Sequence, residues 1–233
     1  MKRILVTGCG RSGTQYLTRV LQNLRLRVTH EQVYRQDLSL DSFSIQAMEG
    51  RWRERETKIE VSWLAAPFVG RQPKDVIIWH QLRDPLKVVR CWTSHGYLNP
   101  ERIQQVQPVP VVGEYIQQFL PQCACSSDLT RAVQYVLGWN RLIAKGMEDR
   151  LQACRYRIEE LHASQLQDLL LEAGHQVKLS RIEAALTEVQ PGIGGCNPNQ
   201  HRELTWKQIR DVAGGVALQE LAELYGYVTE PVD

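Results

Sequence analysis

Residues 4–21 read ILVTGCGRSGTQYLTRVL, and the fold turns on how they divide. Ile4, Leu5 and Val6 are a short apolar run of the kind that makes a buried strand. Gly8, Gly10 and Gly13 supply a glycine-rich turn, and Tyr16, Leu17, Val20, Leu21 and Leu24 then recur at helical spacing. Strand, glycine turn and helix in this order aim backbone N–H groups and a helix N-terminus at one anionic group. Outward from this unit, strand and helix patterns alternate. Strands are predicted near 2–7, 26–30, 58–61, 75–82 and 154–158. Helices are predicted near 13–24, 62–71, 85–96, 128–148, 161–173, 179–187 and 215–225. That alternation predicts an α/β fold, a central parallel sheet flanked by helices. The chain reads as a single domain, 1–233, with an insertion at 99–127. The insertion is rich in Gln and Pro (Pro100, Pro108, Pro110, Pro121) and holds a short helix candidate at 112–120. Long irregular segments in compact domains are often functional, which favours a lid over a variable surface excursion.

Gly8 to Gly13 has the spacing of the nucleotide-triphosphatase P-loop, but Thr14 stands where that motif carries lysine. The loop reads as a phosphate cradle that is not built for the β,γ end of ATP. A second motif lies in residues 75–97, DVIIWHQLRDPLKVVRCWTSHGY. Val76 to Leu82 is an apolar strand, Arg83-Asp84-Pro85 ends it, and Pro85 is well placed to open a helix. Gly10-Arg11-Ser12-Gly13-Thr14 after an N-terminal strand resembles the 5′-phosphosulfate loop of sulfotransferases that use PAPS (3′-phosphoadenosine 5′-phosphosulfate). Leu82-Arg83-Asp84-Pro85 followed by a hydroxyl-bearing helix resembles the 3′-phosphate motif of the same family. The resemblance implies a P-loop NTPase-like three-layer sandwich. It also implies sulfuryl transfer from PAPS, leaving PAP, to a hydroxyl by in-line displacement, with no metal expected.

The roles the resemblance implies fall on particular residues. Gly10, Ser12, Gly13, Thr14 and Gln15 would hold the 5′-phosphate. Arg11 would stabilise charge on the sulfuryl and bridging oxygens, and its guanidinium stays protonated at neutral pH. Arg83 would grip the 3′-phosphate, where a planar, always charged fork suits an oxyanion. The serine that follows this arginine by eight positions in the family is Cys91 here, so either the weakly donating Cys91 thiol fills the site poorly or Ser94, one turn on, supplies the hydroxyl. Val28-Thr29-His30-Glu31 falls where several family branches place a carboxylate base. Many bacterial members show a His-Glu pair here and a later Val-Ser-Trp, matched by Val61-Ser62-Trp63. His30 has the better unperturbed pKa for work near neutrality. The resemblance favours Glu31 as base over His30. Trp139-Asn140, the Arg155–Leu161 segment and a C-terminal closing loop before a Trp-led helix at Trp206 extend the resemblance. His201 and Arg202 in that loop would reach the cofactor.

Composition agrees with a compact enzyme: 233 residues, 43% hydrophobic, 23% charged, formal net charge +2. So small a charge gives no argument for a nucleic-acid or membrane surface. The six cysteines show no paired framework, and Cys123-Ala124-Cys125 is not a zinc spacing. Met1-Lys2-Arg3 precedes only a short apolar run interrupted at Gly8, which predicts neither a signal peptide nor a membrane span. The expectation is a cytoplasmic protein with reduced thiols, acting on a hydroxyl-bearing small molecule or glycan acceptor. Two other readings compete. A P-loop nucleotide kinase lacks its lysine here, with Asp84 only imitating a Mg²⁺ ligand. A catalytically degenerate PAP- or phosphate-binding protein has its best support in Cys91.

Overall fold

The apolar run at the N-terminus becomes β1 (Ile4–Thr7), and all four of its residues are buried. In a computed structural model of the chain, which describes residues 2–34, 52, 58–95, 110–124, 127–189 and 203–229, β1 is the central strand of a five-stranded sheet. The others are β2 (Val28–His30), β3 (Ile59–Val61), β4 (Ile77–Leu82) and β5 (Ala153–Arg157). The strand order is β2-β3-β1-β4-β5, and every pairing is parallel. Ile4 is in register with Ile59 and Ile77, and Val6 with Val61 and Trp79. Apolar side chains therefore align across three strands, as expected of a parallel sheet covered on both faces. The connection leaving β1 runs toward β2 and the one leaving β4 runs toward β5, so the order reverses between β1 and β4. In open parallel sheets, ligands bind at the carboxyl ends of the strands beside such a reversal.

The helices are α1 (Thr14–Asn23), α2 (Pro85–His95), α3 (Pro110–Phe119), α4 (Asp128–Met147), α5 (Ala163–Glu172), α6 (Leu179–Glu188), α7 (Trp206–Arg210) and α8 (Gly215–Leu224). Two compact units emerge: Met1–Leu82 with Leu142–Gly195, and Arg83–Arg141 with Cys196–Asp233. In the first unit, α1, α5 and α6 cover one sheet face. Leu17, Val20, Leu21, Leu166, Leu170 and Ile182 pack on Ile4, Val6, Ile59, Val61, Ile77 and Trp79. The 3-10 helix Trp63–Arg71 and the last turns of α4 lie against each other so closely that a Cβ on Gly146 would sit 2.8 Å from the Gly70 nitrogen. The second unit holds a cluster of aromatic rings in tilted and edge-on contact: Trp92 and Tyr135 at 4.5 Å, Tyr135 and Trp139 at 5.3 Å, Tyr115 and Trp139 at 6.0 Å between centroids.

All five strands stand within two residues of their expected bounds. The 62–71 segment departs from expectation, winding as a 3-10 helix rather than an α-helix. Pro67 lies in its middle, lacks an N–H and opposes the carbonyl four residues back, which favours the tighter turn. Of the stretch read as a lid, residues 110–124 carry α3 and a 3-10 turn at Pro121–Cys123; 99–109 and 125–126 lie outside the described residues. The Trp-led helix is α7, closed by a capping box in which Thr205 Oγ1 accepts from the Gln208 N–H at 3.3 Å and the Thr205 N–H donates to Gln208 Oε1 at 3.0 Å. Cys91, expected as a free thiol, is disulfide-bonded. No helix among the described residues is long and apolar enough to cross a membrane.

One side chain ties the approach to β4 together. Arg150 Nη1 donates to the Val69 and Gln72 carbonyls at 3.3 and 2.9 Å, and Nη2 to those of Pro73 and Val76 at 2.6 and 2.9 Å. A guanidinium fork spans four acceptors where an ammonium point charge cannot. Arg150→Ala is expected to cost about 3 kcal/mol of stability, and Arg150→Lys to recover less than half of it. Urea unfolding of the three proteins checks this, and an alanine variant within about 0.5 kcal/mol of wild type would remove the clamp from the stability account.

Candidate active site

The loop between β1 and α1 is shaped by steric necessity at two glycines. A Cβ on Gly8 would collide with the Gln81 carbonyl oxygen and lie 2.8 Å from Ser12 Oγ. Gly13 caps α1 with φ 92°, a left-handed conformation that side chains resist. Arg11 adopts φ 73° without being glycine, so the loop holds strain at the residue expected to do the chemistry. The turn is closed by the Ser12 N–H donating to the Cys9 carbonyl at 3.0 Å. It is braced from the sheet by Gln81, whose Nε2 donates to the Ser12 carbonyl at 2.8 Å. Gln81 is in turn fixed by Tyr156, whose hydroxyl donates to Gln81 Oε1 at 2.8 Å. Burial pushes the Tyr156 phenol well above the usual tyrosine range, with Cys154 adding to the rise, so it remains a donor.

This loop is arranged for an anion. The N-terminus of α1 has no side-chain cap and no acidic residue in its first turn, as is also true of α6 and α8, whereas α5 and α7 are capped by His162 and Thr205. Its first N–H groups and dipole are left for something negative. Ser12 Oγ, on a residue only 1% exposed, has no hydrogen-bond partner. Thr7 Oγ1 at the end of β1 and Ser62 Oγ after β3 are likewise buried and unpartnered. Buried hydroxyls are normally satisfied, and Ser12 Oγ, in the loop itself, is a donor that an oxyanion there could use. Gly10 is buried and Gln15 is exposed beside Thr14.

The two base candidates stand next to the loop. His30 ends β2, and its Nε2 lies 3.3 Å from Thr14 Oγ1 and 3.7 Å from Glu31 Oε1. Glu31 takes φ 56°, again left-handed, while its N–H continues the ladder to the Val61 carbonyl at 3.1 Å. Both side chains are partly exposed, at 28% and 17%, as proton acceptors for an outside ligand must be. Behind them stands a residue that sequence reading missed. Glu60, fully buried in β3, accepts from Thr29 Oγ1 and, through Oε1, from the Val33 N–H at 3.0 Å. Burial pushes its carboxyl up to about 7, and the charge on Glu31 adds to the rise. The bonds from Thr29, Val33 and Gln32 oppose it. The available signals were a lone acid in a strand otherwise apolar, Ile59-Glu60-Val61, and a lone amide before Leu82-Arg83.

In the second unit the Arg83 motif is built as a capped helix start. Asp84 Oδ1 accepts from the Leu86 N–H at 2.9 Å, and Asp84 Oδ2 lies 3.8 Å from Lys87 Nζ. Asp84 Oδ1 thus caps α2. Arg83 itself is half-buried. Arg90 Nε donates to the Leu204 carbonyl at 3.1 Å, fixing the chain just beyond Arg202, while Arg202, His201 and the glycines at 192, 194 and 195 lie outside the described residues. Ser94 Oγ donates to the Arg90 carbonyl at 2.8 Å. A disulfide-bonded Cys91 has no proton to give. Among the described residues no group of His, Cys, Asp and Glu gathers as a metal site.

Chemically, the first unit pairs an anion cradle with a partly exposed acid and imidazole one side chain away. That combination can hold an oxyanion and remove a proton beside it. No known family model matches the sequence, and no curated protein matches it. Among solved structures, the sulfotransferase domain from the curacin biosynthetic pathway aligns with a TM-score of 0.55 and 14% identity, over 98% of this chain and 99% of that one. Mouse sulfotransferase SULT7A1 complexed with PAP aligns with a TM-score of 0.46 and 15% identity, over 94% of this chain and 88% of that one. The α/β fold expected from the first eighteen-residue motif outward is therefore the fold that this chain shares with the curacin-pathway sulfotransferase domain.

Proposed function

We propose that the chain is a PAPS-dependent sulfotransferase acting, as one catalytic domain, on a hydroxyl of a small molecule or glycan. The observation that carries this reading is the glycine loop: strained at Arg11, uncapped at α1 and lined by the unpartnered hydroxyl of Ser12, with His30 and Glu31 beside Thr14. These residues fit a phosphosulfate: the Arg11 guanidinium, the N–H groups at the start of α1 and the Ser12 hydroxyl favour a compact oxyanion, while the Glu31 carboxylate does not and is kept for the proton. When bound, PAPS supplies the sulfuryl group and the phosphate that leaves. Ser12, Gly13, Thr14 and Gln15 hold the 5′-phosphate by N–H and hydroxyl donors, with Gly10 giving the backbone room to approach. Arg11 holds the charge that builds on the transferring group. Glu31 takes the acceptor's hydroxyl proton, with His30 keeping the carboxylate near Thr14. Arg83 takes the 3′-phosphate, with Ser94 as the hydroxyl of that motif in place of the disulfide-bonded Cys91, and Arg202 assists from the C-terminal loop. We assign acceptor choice to the 99–127 insertion.

Calorimetric titration with PAP, with ATP and 5′-AMP as controls and no magnesium, tests the reading. PAP alone is expected to bind, and Arg83→Ala to weaken it at least about tenfold, the worth of a charge-assisted bidentate contact. A dissociation constant unchanged in that variant removes Arg83 from the site. Preference for ATP once magnesium is added overturns the sulfotransferase reading in favour of a kinase. No nucleotide binding at all favours a degenerate scaffold.

A further inference from the structure

The carboxylate of Glu60 takes no part in the scheme above, yet it is the most thoroughly buried acid in the described sheet. It sits in the middle of β3, in register with Leu5 on β1 and Thr29 on β2, at 0% exposure. Its bonds all run one way. Thr29 Oγ1 donates to Oε2, the Val33 N–H donates to Oε1 at 3.0 Å, and the Gln32 N–H also reaches the carboxyl. Thr29 precedes the His30–Glu31 pair and Gln32 and Val33 follow it. The acid therefore grips the chain on both sides of the two base candidates.

Grip of this kind is needed there. Glu31 stands in the left-handed region, which costs a non-glycine residue free energy and persists only where neighbours impose it. One neighbour is the Val61 carbonyl, which accepts the Glu31 N–H at 3.1 Å. The other is Glu60, which satisfies the Val33 N–H that the turn brings inward and also reaches the N–H of the exposed Gln32. Without it the Val33 donor would be buried unpaired or the turn would open. We infer that Glu60 is the positioning residue for the candidate base: its buried carboxyl, bonded to Thr29, Gln32 and Val33, fixes the turn that keeps Glu31 beside His30 and Thr14. This rests on the reading of Glu31 as base, but the grip on the turn stands on its own geometry.

A neutral amide can repeat these contacts. Its oxygen accepts from the two backbone N–H groups, and Thr29 can rotate its hydroxyl to accept from the NH₂. Burial already favours the uncharged acid, so Glu60→Gln preserves the working hydrogen bonds. Glu60→Met keeps the length and removes every acceptor. Thr29→Val removes one contact and suits a strand, so it serves if the methionine variant does not fold.

The test combines amide hydrogen exchange on the full chain, PAP affinity, and PAP release from PAPS with water or p-nitrophenol as acceptor. In Glu60→Met, exchange at Gln32 and Val33 is expected to accelerate at least about tenfold, with β1 and α1 unchanged; in Thr29→Val the acceleration is about threefold. PAP affinity stays within about twofold while PAP release slows at least about tenfold. Glu60→Gln restores both readouts. The Glu60→Met/Glu31→Gln double variant is expected to be no slower than Glu31→Gln alone, because both remove one function. Unchanged exchange at residues 32–33 overturns the inference, and so does a Glu60→Met loss that multiplies fully with Glu31→Gln. A wild-type chain that neither binds PAP nor releases it from PAPS overturns the sulfotransferase reading instead, and the exchange comparison then decides by itself whether Glu60 holds the turn.

Discussion

Arg11→Ala is expected to slow single-turnover transfer from PAPS about a thousandfold while changing PAP affinity less than tenfold, the split that marks a group acting on charge built in the transition state. PAP lacks the sulfuryl group, so it forgoes most of what Arg11 is proposed to hold. The backbone gives this prediction a second edge. Arg11 has φ 73°, a conformation that costs an L-residue about 1 kcal/mol or more and a glycine almost nothing. Arg11→Ala keeps that strain and Arg11→Gly releases it. Arg11→Gly is therefore expected to be as inactive as the alanine variant but more stable by about 1 kcal/mol. Arg11→Lys keeps a point charge without the fork and is expected to recover part of the rate. The loop then carries its strain for the sake of the guanidinium. Near-normal turnover in Arg11→Ala removes Arg11 from the chemistry, and a glycine variant less stable than the alanine one removes the strain argument.

The sheet was legible because its strands are short apolar runs whose burial is local in sequence: ILVT in β1, IIWHQL in β4. The glycine turn between β1 and α1 was legible because Gly8 and Gly13 answer to sterics and a left-handed φ that glycine alone meets easily. The proposal of His30 and Glu31 as base candidates came only through resemblance, since nothing in VTHE says that His30 Nε2 comes within 3.3 Å of Thr14 Oγ1. What escaped are contacts between distant residues. Gln81 braces Ser12 across 69 positions and is itself held by Tyr156 across 75. Glu60 grips Val33 across 27. Single polar residues inside apolar strands were the one trace of these partnerships, and pattern reading discards them as exceptions to the period. The 62–71 segment was misjudged for a different reason: its apolar spacing suits an α-helix, while Pro67 removes a donor that an α-helix would need.

Glu31→Gln is expected to lower turnover about a thousandfold with PAP affinity within twofold, and His30→Gln to lower it only about tenfold. The two side chains meet at 3.7 Å, and His30 Nε2 also approaches Thr14 Oγ1 at 3.3 Å, so the imidazole bridges the carboxylate and the loop. On the proposed scheme one of the pair takes the acceptor proton and the other orients it. Glu31 is proposed to take the proton because the family resemblance favours the carboxylate, while His30 Nε2 lies near both Thr14 and Glu31. A glutamine at 31 retains the shape and a donor or acceptor toward His30 but has no basic oxygen, so it isolates the proton transfer. A glutamine at 30 retains a polar contact to Thr14 and leaves the base in place but less constrained. Kinetics with PAPS at saturating acceptor, set beside PAP titrations of both variants, separate the two assignments. If His30→Gln is the slower enzyme, the imidazole is the base and Glu31 its orienting partner. The left-handed turn at Glu31 would then serve to aim a histidine, and Glu60 would be positioning that histidine through the same Thr29, Gln32 and Val33 contacts.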